Sequence, residues 1–149
     1  MGKISLAVLT AIILFANTAS AEMVVKCLDG DTIRLDNGTT VRLLGVDTPE
    51  TVHPRKPIEF YGPEASQYCK DEIAGKSVLL VYDPKNKKDK YGRTLAYVYR
   101  EEDGNLFNQM IILNGYGRAY TKFPFIFKEE FLRSEEHARN KKVGLWSKE

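Results

Sequence analysis

The chain has 149 residues, a length for one domain, with 22 Lys and Arg against 20 Asp and Glu, a formal charge of +2. So even a balance identifies no partner in bulk. Two cysteines, remote from any histidine pair, exclude a zinc site of the usual kind.

The N-terminus comes first. Lys3 supplies a positive start, Ile4 to Phe15 is mostly apolar, and Ala19-Ser20-Ala21 has the small-x-small form of a cleavage site. The apolar run is short for a spanning helix, which needs about 20 residues. Residues 1–21 therefore read as a signal peptide removed after Ala21, against the alternative of an uncleaved anchor. Residues 22–149 form the domain and suffice to bury a core. The expected location is the medium or the periplasm, with no membrane contact after cleavage. Export would allow Cys27 and Cys69 to pair or to remain free thiols.

Val24 to Leu28 is a short strand candidate. From 31 to 36 the pattern alternates, with Ile33 and Leu35 on one face, and Asn37-Gly38 follows as a strong hairpin signal. Thr39 to Val46 returns as a third strand. D-G-D-T (29–32) occupies the first turn and D-T-P-E (47–50) leaves the third strand. Residues 48–60, with Pro49, Pro54 and Pro57, read as an irregular loop. Gly62-Pro63-Glu64 starts a helix that runs to Ala74, stopped by Gly75. Ser77 to Tyr82 is a fourth strand. Lys85, Lys87, Lys88, Lys90 and Arg93 then crowd a loop relieved only by Asp89; it reads partly as a solvated loop and partly as a phosphate-facing one. Thr94 to Tyr99 is a fifth strand, with Leu95, Tyr97 and Tyr99 against Ala96 and Val98. Helices are expected over 106–113 and 128–142, the latter with Phe131, Leu132 and Ala138 as its apolar stripe. Gly144 closes it, and Leu145 and Trp146 pack back on the core. No repeat interrupts this order. Five strands with a helix between the third and fourth predict an α+β chain, mainly a five-stranded OB-fold barrel with three α-helices.

Asp31 opens the second strand and Asp47 closes the third, so an antiparallel hairpin places them side by side. Two adjacent carboxylates repel, and a hard cation such as Ca²⁺ or Mg²⁺ relieves the repulsion. The Thr48 carbonyl adds an oxygen, and Pro49 fixes where Glu50 points. Arg42 and Arg93 bear on the same place, and guanidinium forks bind phosphate in bidentate fashion. A cation, two arginines and a carboxylate that activates water are the parts of a phosphodiester hydrolase. Taken alone, D-G-D is an ordinary turn, Glu50 a loop acid, Arg42 the structural partner of a neighbouring acid and Arg93 a surface residue. His53 and His137 read as structural or exposed.

D-G-D-T-I, R-L-L-G-V-D-T-P-E-T, Y-G-P-E-A-S and D-K-Y-G-R-T-L-A-Y-V-Y, in this order, resemble the staphylococcal nuclease (thermonuclease) family over Val24 to Trp146. The resemblance implies an OB-fold barrel with three helices and a Ca²⁺-dependent, monomeric nuclease that cleaves DNA and RNA to 3′-phosphates. It implies Asp31, Asp47 and the Thr48 carbonyl as Ca²⁺ ligands, and Glu50 as the base or the residue that orients water. Arg42 and Arg93 become the phosphate-binding arginines, and Lys90 and Tyr91 contacts to a terminal phosphate. Asp29 stands beside the cation rather than on it. The family's Tyr-x-Tyr near the base corresponds here to Thr121 and Phe123, so Phe123 can stack on a base while a hydroxyl contact is lost. The rival readings are a non-catalytic nucleic-acid-binding module on the same barrel, and an oligosaccharide binder that leaves the arginines and paired aspartates unexplained.

Overall fold

Asn37-Gly38 sets the register from which the rest follows. In the computed structural model, which describes residues 20–149, Gly38 has φ +84° and the Asn37 side chain accepts from the Thr39 N–H at 2.9 Å. The expected signal peptide lies outside the described residues, apart from Ser20 and Ala21. The turn joins β2 (Thr32–Leu35) to β3 (Thr40–Leu43) with Thr32 opposite Arg42 and Ile33 opposite Val41. Alternation then points Ile33, Leu35, Val41 and Leu43 inward, all buried.

β1 (Ala21–Asp29) pairs with β2 and, at its start, with β5 (Ser77–Val81). β5 pairs with β6 (Thr94–Arg100), and β6 runs parallel to β3, which closes a barrel of order β1-β2-β3-β6-β5. With α1 (Gly62–Ile73), α2 (Phe107–Leu113) and α3 (Lys128–Asn140), it is the expected α+β architecture, an OB-like barrel with three helices. α1 packs along β1, where Cys27 and Cys69 form a disulfide with Cα atoms 6.2 Å apart. Phe107, Ile111, Ile112 and Phe131 bring α2 and α3 into the same core. Leu145 and Trp146 do fold back, as a second small cluster with Ala138.

Three expectations need correction. The third strand does not run unbroken from Thr39 to Val46: it stops at Leu43. Leu44-Gly45 turns out of the barrel, and Val46–Asp47 (β4) pairs instead with Arg118–Ala119 (β7). The turn needs glycine, since Gly45 has φ +75° and a Cβ there would lie 2.7 Å from the Phe125 ring. Asn108, fully buried, stitches the break. Its amide donates to Leu44 O and Ala96 O and accepts from Val98 N–H at 2.8–3.1 Å. Second, the two faces of β6, Leu95 and Tyr97 against Ala96 and Val98, are both buried: Val98 lies opposite buried Leu80, while Phe127 and Phe131 stand edge-on to Tyr97. Third, α3 ends at Asn140, and Leu132 on it is exposed while Ser134 is buried. The Ser134 hydroxyl donates to Glu130 O at 2.9 Å and accepts from the Gln109 amide at 3.1 Å, so its burial costs no lost hydrogen bond.

The disulfide closes a separation of 42 residues. Cys27→Ser/Cys69→Ser is expected to lower the unfolding free energy by about 4 kcal/mol. Urea denaturation measures this, and a loss below about 1 kcal/mol would show that β1 and α1 hold together without the bridge.

Candidate active site

The register places Asp31 one residue before the Thr32–Arg42 pair, and Leu43 N–H donates to Asp31 O at 2.9 Å. The break after β3 brings Asp47 to the same end. Arg42 lies between them. Its Nη2 is 3.2 Å from Asp31 Oδ2 and 3.5 Å from Asp47 Oδ1. Its Nη1 donates to Leu43 O at 2.9 Å and Val46 O at 2.6 Å. One guanidinium thus holds both carboxylates and both sides of the strand break. The two terminal nitrogens being engaged, Nε is the nitrogen left for a ligand, a narrower role than the bidentate fork expected from sequence.

Asp31 is nearly buried and accepts from Thr32 Oγ1 and from Thr48 N–H, both at 2.9 Å. Asp47 has a side chain more than half exposed, yet it lies against enough protein for desolvation, and then the Asp31 charge, to push its carboxyl above the usual range. Arg42 only partly offsets this. The Thr48 hydroxyl is buried without a partner. It sits against Gly30, where a Cβ would lie 2.8 Å from Oγ1, so the D-G-D turn needs glycine to close on Thr48.

Asp29 ties this turn to the next loop, accepting from Thr51 Oγ1 at 2.7 Å and from Gly30 N–H at 2.9 Å. Its neighbours in charge are Asp31 and Glu50. Burial first, and those two charges after it, hold the Asp29 carboxyl above the usual range against its hydrogen bonds. Glu50 goes the other way. Burial opposes the shift, but the hydrogen bond from Val52 N–H at 2.8 Å, with the His53 charge, leaves it below the usual range. Glu50 is therefore an anionic carboxylate at the rim, beside Asp29.

Beyond Arg42 opens a pocket of about 450 Å³, lined among others by Lys88, Lys90, Tyr91, Arg93, Tyr120 and Phe123. Arg93 is aimed by Asp89, which takes its Nε–H at 2.6 Å and its backbone N–H at 2.9 Å. Both Nη groups of Arg93 are left for a ligand, so Arg93 rather than Arg42 offers the open fork. Lys90 Nζ and the Arg93 guanidinium stand 5.0 and 5.5 Å from the centre of the exposed Tyr91 ring. Asp83 shapes the other wall. Its carboxylate accepts from Lys85 N–H, Asn86 Nδ2, Tyr97 OH and Ile126 N–H at 3.0–3.2 Å, and Asn86 also donates to Pro124 O. The lysine loop is thereby moored to the segment that carries Phe123.

The structure thus brings Asp31, Asp47, Arg42 and Thr48 together, and sets Arg93, Lys90, Tyr91 and Phe123 around one pocket with Arg42. Glu50 and Asp29 adjoin the carboxylates but do not line that pocket. Sequence reading missed Tyr120, whose ring stands edge-on to Phe123 at 5.7 Å and lines the pocket. A hydroxyl is therefore available there although Thr121 and Phe123 offer none of the phenolic kind. The signal was the A-Y pair (119–120) following β4's partner strand.

Among the described residues, no three His, Cys, Asp or Glu side chains converge on one point. Asp31 and Asp47 do converge on one guanidinium, each within 3.5 Å of Arg42 Nη2. Two carboxylates and a backbone carbonyl are hard oxygen donors, a set that fits Ca²⁺ with solvent completing the shell.

Residues 40–148 match the family described as Staphylococcal nuclease homologue. A thermonuclease of Staphylococcus hyicus is 39% identical over 128 residues, spanning 83% of this chain and 74% of that protein. A thermonuclease of Staphylococcus intermedius is 39% identical over 131 residues, 85% of this chain and 76% of that one. The SPbeta prophage-derived endonuclease YokF of Bacillus subtilis is 37% identical over 128 residues, 83% of this chain and 43% of its own length.

Asp83 provides a test of the mooring. Burial pushes its carboxyl up, but four donors outweigh this and hold it below the usual range. A depressed folded pKa gives stability that is present above the unfolded value, about 3.9, and lost as pH falls through the folded one. Asp83→Asn is expected to cost about 2 kcal/mol at pH 7, with the difference from wild type shrinking below about pH 4. Urea melts across pH check this; a constant difference down to pH 2 would show the charge to be irrelevant.

Proposed function

The chain belongs to the staphylococcal nuclease family and is a nuclease, and from that membership we propose that it hydrolyses DNA and RNA in a Ca²⁺-dependent reaction leaving 3′-phosphate ends. The observation that carries the reading is the juxtaposition of Arg42, held by Asp31 and Asp47, with the open fork of Arg93 in one pocket.

Asp31, Asp47 and the Thr48 carbonyl would hold the ion, which when bound supplies positive charge that polarises a phosphoryl oxygen. Arg93 grips the phosphate with two parallel N–H groups, and Arg42 adds its Nε–H. Both guanidiniums meet charge that builds on the phosphate oxygens as water attacks. Lys90 and Tyr91 receive the terminal phosphate at the pocket mouth. Glu50, anionic at neutral pH, orients the attacking water; its lowered pKa suits this role better than full proton abstraction. Arginine holds its proton too tightly to release it, so the leaving oxygen takes its proton from solvent. Phe123, with Tyr120 beside it, offers an aromatic face to any base, and the remaining contacts go to phosphate, which accounts for little sequence preference.

The domain in this reading is residues 22–149, monomeric, after removal of the signal peptide, acting outside the cytoplasm in medium or periplasm. The Cys27–Cys69 bridge supports that location, because such bonds persist in oxidising compartments. No helix among the described residues is long and apolar enough to cross a membrane.

Cleavage of single-stranded DNA by the purified protein, with Ca²⁺ and then with chelator, tests the reading. Ca²⁺-dependent cleavage to 3′-phosphates is expected; tight binding without cleavage in any divalent ion would leave a binding module. Glu50→Ser should lower kcat by about 10²–10⁴-fold with nucleotide binding retained; a loss within about tenfold would remove Glu50 from the chemistry. Asp31→Ala should weaken Ca²⁺ binding in calorimetry, and unchanged affinity would break the ligand set.

A further inference from the structure

Every residue from 52 to 60 is exposed. The loop is pinned at its neck, where Glu50 N–H donates to Glu59 Oε2 at 2.9 Å and Glu59 N–H donates to Glu50 O at 3.0 Å. Glu59 is the loop's acid and is spent in the neck. The remaining tip carries His53, Arg55 and Lys56 together with Val52 and Ile58, each 64% exposed, and just past the neck stands Phe60, 47% exposed, with Lys148 Nζ 4.0 Å from its ring centre. Pro54 and Pro57 limit its conformations. Solubility alone gives no reason to expose three large apolar side chains among cations.

The neck adjoins the carboxylates. Thr51 donates to Asp29, whose charge neighbours are Asp31 and Glu50, and the Glu59 charge is felt at Asp47. The pocket of Arg93 and Tyr91 lies on the Arg42 side of the same row. Arg42 lines that pocket and binds Asp31, and Asp29 and Thr51 lead from Asp31 to the loop, so a strand with one end in the pocket and its phosphate at Arg42 reaches the loop when its other end runs past Glu50.

We propose that the 52–60 loop is a second binding track for single-stranded nucleic acid, holding the part of the strand that lies beyond the cleavage point. Arg55 and Lys56 meet its phosphates, and Val52, Ile58 and Phe60 meet its bases, the pairing of charge and apolar face that single strands require. The assignment rests on the nuclease reading for the position of the strand. The loop would make the protein favour long substrates over short ones.

Fluorescence anisotropy with oligothymidylates of 3 and 15 nucleotides, in chelator so that nothing is cleaved, tests this apart from catalysis. Arg55→Ala/Lys56→Ala should weaken the 15-mer by about tenfold at low salt, and reduce the slope of log affinity against log salt by about 1.4. The 3-mer, which the pocket alone accommodates, should bind as to wild type. Arg133→Ala/Lys141→Ala, which removes the same charge from α3 and the residue that caps it, should leave both unchanged. An unaffected 15-mer, an equal loss for both lengths, or an equal loss in the α3 variant would each overturn the proposal. If the 15-mer depends on the loop but the protein cleaves nothing, the track stands and the hydrolytic reading falls. Cleavage with loop-independent binding gives the reverse.

Discussion

Four protein oxygens converge on the guanidinium of Arg42, and the acidic face exists because they do. Two are carbonyls on either side of the break in β3, and two belong to Asp31 and Asp47. Without the guanidinium the carboxylates would repel, and its carbonyl contacts hold the chain leaving Leu43 in the turn that Gly45 and Asn108 also fix. Arg42 and Asp31 are also largely withdrawn from water, with side chains 15% and 10% exposed. A buried pair contributes little net stability, but removing one member strands the other charge. The arrangement is better understood as fixing geometry than as stabilising the fold.

The same accounting separates the two arginines. Arg42 spends its terminal nitrogens on the protein, whereas Arg93 spends only Nε and its backbone N–H, both on Asp89. One is a frame and the other an open hand. A cation settling on Asp31 and Asp47 would compete with Arg42 for their charge and release Nη2 towards the pocket. In the proposed reading, metal and phosphate binding would thereby be coupled through one side chain.

The frame is supported from a distance by buried polar groups that each serve one joint. Asn108 joins α2 to β6 and the β3 break, and Asp83 joins the lysine loop to the segment bearing Phe123 and Phe125. Asp29 joins the first turn to the 51–60 loop. All three stand in apolar or crowded surroundings and have their hydrogen bonds met, which makes them specific as well as tolerable. The disulfide does the corresponding work between β1 and α1.

The sequence by itself determined the barrel, because alternation in the strands, Asn37-Gly38 and Gly62-Pro63 are local signals whose meaning does not depend on distant residues. It also proposed Asp31, Arg42, Asp47 and Arg93 for one site, since paired carboxylates and guanidiniums carry recognisable chemistry, and Lys90 through the family resemblance. It could not show that residues 39–46 break after Leu43, because the decisive contacts come from Asn108 and Phe125, some 60 to 80 positions away. Nor could it show that Tyr120 lines the pocket, that Leu132 is exposed, or that Cys27 and Cys69 meet. Which N–H groups of each arginine remain open was likewise decided by tertiary structure, because a hydrogen bond is spent on whichever oxygen folding brings within reach.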